Sequence, residues 1–130
     1  MPFIHRTIQE LSPITSPCGP LTELSTAEDD LAANVVRLLA TEPGQAHFHR
    51  ETTEHYYIVS GRGFVWVDGD FVPVHVGSYL VIRPNTPHQV IPNPESTLEI
   101  LVVATPPWRA EDEIPTEGVL YALETRSTPD

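Results

Sequence analysis

Between residues 34 and 104 short apolar stretches alternate with turn residues. Asn34–Thr41 reads Asn-Val-Val-Arg-Leu-Leu-Ala-Thr. Its adjacent β-branched valines favour a strand over a helix, and Pro43-Gly44 ends it. His47–Arg50 is short and extended. Glu54–Ser60 is rich in β-formers, and Gly61-Arg62-Gly63 follows as a turn. Phe64–Val67 and Phe71–Val76 flank Asp68-Gly69-Asp70. Asp-Gly between two apolar runs predicts a hairpin. Gly77-Ser78 leads into Tyr79–Ile82. The loop Arg83–Pro87 precedes His88–Ile91, and Pro92–Glu95 turns the chain into Leu98–Ala104. The pattern predicts about seven or eight short strands, at spacings near the roughly 8–12 residues of sandwiches and barrels. Leu98-Glu-Ile-Leu-Val-Val-Ala104 is apolar on both faces, so both need cover.

The two ends differ from this body. Residues 1–33 carry Pro2, Pro13, Pro17 and Pro20. They are read as an arm with one short strand, packed on the body or on a partner subunit. Ser25-Thr26-Ala27-Glu28 has capping-box spacing and predicts a short helical turn through Asp29-Asp30-Leu31. The barrel itself is placed at 34–104. Thr105-Pro-Pro-Trp108 ends it, and 105–130 form a tail packed on it. Within the tail, Glu111-Asp112-Glu113 is read as solvated and Val119–Leu123 as a weak strand or helix, before a polar end that frays.

Composition narrows the function. The chain has 130 residues, of which 40% are hydrophobic, which suits one domain with a real core. A net charge of −11 leaves no basic patch for nucleic acid or an anionic membrane. Cys18 is the only cysteine, so no internal disulfide forms; this fits a cytoplasmic protein. The N-terminus lacks the pattern of a signal peptide, and no apolar run is long enough to span a bilayer. Fourteen prolines and seven glycines argue against long helices.

Against that background His47-Phe48-His49, then Glu54, then His88 after a Pro-Asn-Thr-Pro turn stands out. Residues two apart on a strand share a face, so His47 and His49 face inward together. If Glu54 faces inward, so do Tyr56 and Ile58, and Glu54 joins the histidines from an adjacent antiparallel strand. Imidazoles and a carboxylate suit one divalent transition ion: iron, manganese, nickel, copper or zinc. Four donors around a six-coordinate ion leave two positions for water, dioxygen or a bidentate substrate. The absence of a cysteine ligand disfavours a purely structural zinc site.

The spacing resembles the two motifs of the cupin superfamily. The first, in outline G-x5-H-x-H-x3,4-E-x6-G, is matched by His47, His49, Glu54 and Gly61. The second, in outline G-x5-P-x-G-x2-H-x3-N, is matched by Gly77 and His88. Thr41, Arg83, Asn85 and Pro92 depart from it at loop positions, and Asn85 is the next-best residue where a positive φ is required. The resemblance covers about residues 34–104. It implies an all-β fold, a double-stranded β-helix or jelly-roll barrel, with the four matching side chains binding one metal ion per chain. It also implies a small-molecule substrate and a homodimer. The expected function is a metal-dependent enzyme acting on a small oxygenated organic molecule, with a dioxygenase placed first and an isomerase or cyclase next. The alternative is a non-catalytic protein whose metal anchors a small molecule such as a sugar.

Glu54 and Tyr56 are the catalytic candidates, although Tyr56 equally suits a filler of the barrel. Phe64 and Trp66 share a face and are assigned to the core, as are Leu80 and Ile82. Arg83 is read as solvent-facing rather than as a ligand for an anionic group at the rim. His55 points away from the site, His75 is read as structural, and His5 lies at the surface.

Overall fold

Residues Leu98–Thr105 alternate between buried and half-buried along their whole length. A strand does this when one face meets the core and the other meets cover. The same alternation recurs through a computed structural model that describes residues 2–119. In chain order its strands are β1 (Ile14–Ser16), β2 (Gly19–Glu23), β3 (Asn34–Ala40), β4 (His47–His49), β5 (Thr53–Ser60), β6 (Arg62–Val67), β7 (Asp70–His75), β8 (Tyr79–Ile82), β9 (His88–Pro92), β10 (Leu98–Thr105) and β11 (Glu113–Pro115). They form two antiparallel sheets. One has the order β1-β2-β3-β10-β5-β8 and the other β11-β4-β9-β6-β7. The fold is an all-β jelly roll. Its core lies between the sheets, with Leu38, Tyr56, Ile58, Ile82 and Ile100 from the first meeting Val65, Val74 and Val90 from the second.

Turn chemistry sets the register. Val67 pairs with Asp70, so Asp68 and Gly69 alone form the β6–β7 loop, with φ of 46° and 100°. Both values suit the tight turn expected of Asp-Gly. Gly61, at φ 82°, separates β5 from β6 by a single residue, and a side chain there would run into the Thr97 carbonyl. Gly61-Arg62-Gly63 was expected to turn as a unit. Instead Arg62 and Gly63 already pair with His75 and Val74. Asn85 adopts φ 62°, as its place in the motif requires.

Several expectations change at the ends. The N-terminal segment supplies two strands rather than one, and β2 joins the sheet through Leu21–Leu38 and Glu23–Val36. Pro20 does not obstruct this, because the pairing with β3 begins one residue later. The helical turn is a 3-10 turn at Ala27–Asp29, earlier than expected. Thr26, not Ser25, caps it: the Thr26 hydroxyl accepts from the Glu28 N–H, and the Asp29 carboxylate accepts from the Thr26 N–H. Ser25 instead accepts from the Val35 N–H at 2.9 Å. The acidic stretch is solvated at Glu111 but not throughout. Asp112 is buried, and β11 extends the second sheet by pairing with β4, Glu113 opposite His49. Gln89 holds the chain on either side, donating to the Gly44 carbonyl and accepting from the Val119 N–H. Beyond Val119, the element expected at Val119–Leu123 lies outside the described residues.

Phe64 and Trp66 do share a face, but it is the outer one. Val65 is fully buried between them, and Phe64 is exposed. A shift of one residue exchanges the two faces of a strand, and the pairing of Val65 with the core residue Val90 sets this one. His75 is also exposed, at the end of β7. Arg83 faces solvent, and Leu80 and Ile82 face inward. Among the described residues no helix is long and apolar enough to cross a membrane.

Candidate metal centre

The second sheet carries the histidines. His47 and His49 lie on β4, and His47 pairs directly with His88 at the start of β9. Glu54 comes from the opposite sheet. β4 is bonded to β9 and β11 and makes no ladder with β5, so Glu54 reaches the histidines across the barrel rather than from a neighbouring strand. Alternation on β5 is as expected: Glu54, Tyr56 and Ile58 are buried, and Tyr57 and Val59 are exposed. The four side chains each offer a donor atom, and these atoms all lie within 4.8 Å of one another.

Backbone carbonyls fix two of the rings. His47 Nδ1 lies 2.8 Å from the Gln45 carbonyl, and His88 Nδ1 lies 2.9 Å from that of Thr86. A carbonyl only accepts, so each Nδ1 carries the proton and Nε2 is left for the interior. His88 Nε2 is 2.9 Å from Glu54 Oε1. That contact needs a proton or an ion shared between the two groups. His49 is more telling. It is 2% exposed, yet neither ring nitrogen has an aligned hydrogen-bond partner. Its Nε2 is 3.1 Å from Glu54 Oε1 but out of line for a hydrogen bond, and its Nδ1 is 4.0 Å from Asp112 Oδ2. Buried polar atoms are normally satisfied. A metal ion among these donors would satisfy one nitrogen of His49, and the chemistry of the set fits such an ion.

The electrostatics point the same way. Burial disfavours the charge on Glu54, but the close approach and charge of His49 and His88 outweigh it and hold its pKa well below the usual carboxylate range. Burial, and then repulsion from His88, lower the pKa of His47 and favour its neutral, donor form. Burial opposes charge on His49 too, but the neighbouring Glu54 raises its pKa overall. Burial, and then the charge of Glu54, raise the Tyr56 hydroxyl well above the usual 10, so it stays protonated. That hydroxyl is 3.5 Å from Glu54 Oε1.

A cavity of about 320 Å³ opens onto this centre, at the small end of the range for ligand pockets. Tyr56 lines it, while Trp66 and Arg83 do not. Its walls include Cys18 and Leu21 from the N-terminal segment, Val36 and Val102 from the barrel, and Trp108 from the tail. Burial, with Glu42 nearby, pushes the Cys18 thiol up to about 12, so it acts as an apolar wall and not as a nucleophile.

Two residues near the centre escaped sequence reasoning. Asp112 accepts backbone N–H groups from Arg50, Glu51 and Thr52 at 2.9–3.1 Å, tying down the loop between His49 and Glu54. Those bonds outweigh burial and lower its pKa. Glu113 Oε1 lies 3.6 Å from His47 Nε2 and accepts from the Trp108 indole at 3.0 Å. The only sequence signal was Ile114 beside Glu113, an apolar residue in a stretch otherwise read as solvated.

Comparisons with known proteins agree with this geometry. A protein of Methanocaldococcus jannaschii is 36% identical over 66 residues, which are 51% of this chain and 53% of that protein. The match thus spans about half the length of the curated relative. The nucleoside dehydratase Pac13 of Streptomyces superposes with a TM-score of 0.76 at 23% identity, covering 88% of this chain and 92% of its own. The polyketide cyclase RemF of Streptomyces resistomycificus superposes at 0.74 and 18% identity, covering 98% and 94%. At such identities the likeness is one of fold. Residues 34–104, the body predicted as the barrel and the part that carries all four donors, match the cupin domain, and the chain belongs to that family.

Proposed function

We propose that this chain is a mononuclear metal-dependent enzyme acting on a small oxygenated organic molecule by elimination, isomerisation or ring closure. The observation that carries the reading is the intact, buried donor set His47, His49, Glu54 and His88 with a cavity opening onto it. A divalent transition ion held there would supply Lewis acidity and orient a substrate oxygen. The chain supplies the rest. The Gln45 and Thr86 carbonyls keep two imidazoles in the donor tautomer. Tyr56 holds its proton and can donate a hydrogen bond to a substrate oxygen, and Glu54 is the nearest carboxylate to accept one. The reaction class draws support from the structural neighbours that are a dehydratase and a cyclase. Dioxygenase chemistry is the second reading, favoured by a donor set that leaves two positions of a six-coordinate ion open. A lone, buried cysteine supports a reducing, cytoplasmic setting.

The test uses protein reconstituted with Fe(II), Mn(II), Ni(II), Cu(II) or Zn(II) and a panel of nucleosides, hydroxylated polyketides and polyols, with and without oxygen. Turnover without oxygen, lost in a folded His49→Ala variant, is the expected result. Turnover only with oxygen moves the assignment to a dioxygenase. Ligand binding that persists without metal and without turnover makes the chain a binding module.

A homodimer is proposed through the outer face of the first sheet. Arg37, Leu101, Tyr57 and Tyr79 lie in one row across it, and Val35, Val103, His55 and Val81 in the next. Tyr57, Val59, Tyr79 and Val81 are exposed. A contiguous apolar patch of this kind marks an interaction site.

A further inference from the structure

The geometry points to a ligand that carries no net negative charge: a neutral or cationic molecule with an apolar body and hydrogen-bond donors, selected by Glu113 and Glu23. The inference deepens the proposed function and rests on the same cavity. The charged side chains lining that cavity are Glu23, Glu54 and Glu113, together with the imidazole of His47. No arginine lines it among the described residues, and the chain contains no lysine at all. Among the described residues the arginines are engaged elsewhere or exposed. Arg6 pairs with Asp29, Arg37 with Glu99 and Arg109 with Glu51, and Arg50, Arg62 and Arg83 face solvent. A divalent ion at the centre would face three carboxylates, so the cavity as a whole stays negative. Apart from the ion itself, an anionic ligand would enter without the arginine fork or ammonium that carboxylates and phosphates ordinarily meet.

The neutral polar groups of the lining favour the same class, because most are already spent on the protein. Asn34 donates to the Ser25 carbonyl and accepts from the Trp108 N–H. Gln45 donates to the Ala46 and Thr116 carbonyls, and the Trp108 indole donates to Glu113. What the carboxylates of Glu23 and Glu113 still offer is acceptor oxygen, which matches hydroxyl, amino or ammonium groups on the ligand. Trp108 is 40% exposed and gives a flat apolar ligand a face to lie on. Both glutamates are partly buried, so their charges are screened less than those on the open surface.

The experiment titrates three fluorescent probes of one shape into zinc-loaded full-length protein: 2-naphthylmethanol, 2-naphthylmethylammonium and 2-naphthoate. The alcohol and the ammonium are expected to bind at least about tenfold more tightly than the naphthoate, the size of one unfavourable charge contact near a protein surface. A Glu23→Gln, Glu113→Gln double variant is expected to close most of that gap with its zinc content unchanged. Naphthoate binding as tightly as the alcohol, no binding by any probe, or a gap that persists in the double variant would each overturn the inference. Zinc content measured on the same samples keeps the two readings apart. Protein that takes up no zinc contradicts the metal centre, whereas the same carboxylates still disfavour naphthoate in zinc-free protein.

Discussion

At the scale of single residues, the candidate site separates groups that could hold an ion from groups that hold those in place. His49 belongs to the first kind, with two buried nitrogens and no aligned hydrogen-bond partner. Asp112 belongs to the second. Its carboxylate gathers three backbone N–H groups from Arg50–Thr52; Asp112→Ala leaves those of Glu51 and the buried Thr52 without this acceptor, while the Arg50 N–H keeps the Asp112 backbone carbonyl. The expected cost is about 2–3 kcal/mol, read from urea denaturation. Asp112→Asn, which keeps one acceptor oxygen, is expected to lose less. The sign of the pH dependence follows from the lowered pKa of Asp112. The stabilisation is complete above the ordinary value of 3.8 and fades as pH falls through the depressed folded value. Wild type is therefore expected to lose this contribution in acid, and Asp112→Ala to have none to lose. Equal acid sensitivity of the two proteins in that range would contradict the assignment.

At the scale of elements, the sequence was most legible where local chemistry decides. The Asp68-Gly69 hairpin, the strand at Leu98 and the inward alternation of Glu54, Tyr56 and Ile58 are local matters, and each was read correctly. Which face of β6 turns inward is not local. It depends on the pairing of Val65 with Val90, more than twenty residues away in the chain, so Phe64 and Trp66 were placed on the wrong side. The four donors were legible from spacing, but their arrangement was not. That β4 lies between β9 and β11, with Glu54 arriving from the other sheet, follows from closure of the barrel. The second N-terminal strand and the strand in the tail are not legible for the same reason: β2 and β11 exist because β3 and β4 offer edges to pair with. The turn at Gly61 gives a test at this scale. Its φ of 82° and the Thr97 carbonyl beside it leave no room for a side chain. Gly61→Ala is expected to destabilise the fold by about 1–3 kcal/mol. An unchanged denaturation midpoint would contradict the register of β5 and β6.

At the scale of the whole molecule, two surfaces carry the proposals: the cavity between the sheets and the apolar outer face of the first sheet. If the outer face pairs two copies, Tyr79→Asp is expected to convert a dimer to a monomer in sedimentation experiments, with the circular dichroism of the barrel unchanged. A wild-type protein that sediments as a monomer at every concentration would contradict the pairing. The cavity draws its walls from the N-terminal hairpin, the barrel and the tail, which is why no single segment of sequence announced it. Everything proposed about its chemistry depends on an ion among His47, His49, Glu54 and His88. The most direct test is elemental analysis of protein purified without chelators and without metal-affinity resin. The expected result is close to one transition-metal ion per chain, lost in His49→Ala while the fold persists. A folded wild-type protein that holds no metal, and takes none up when offered, would contradict the account at its centre.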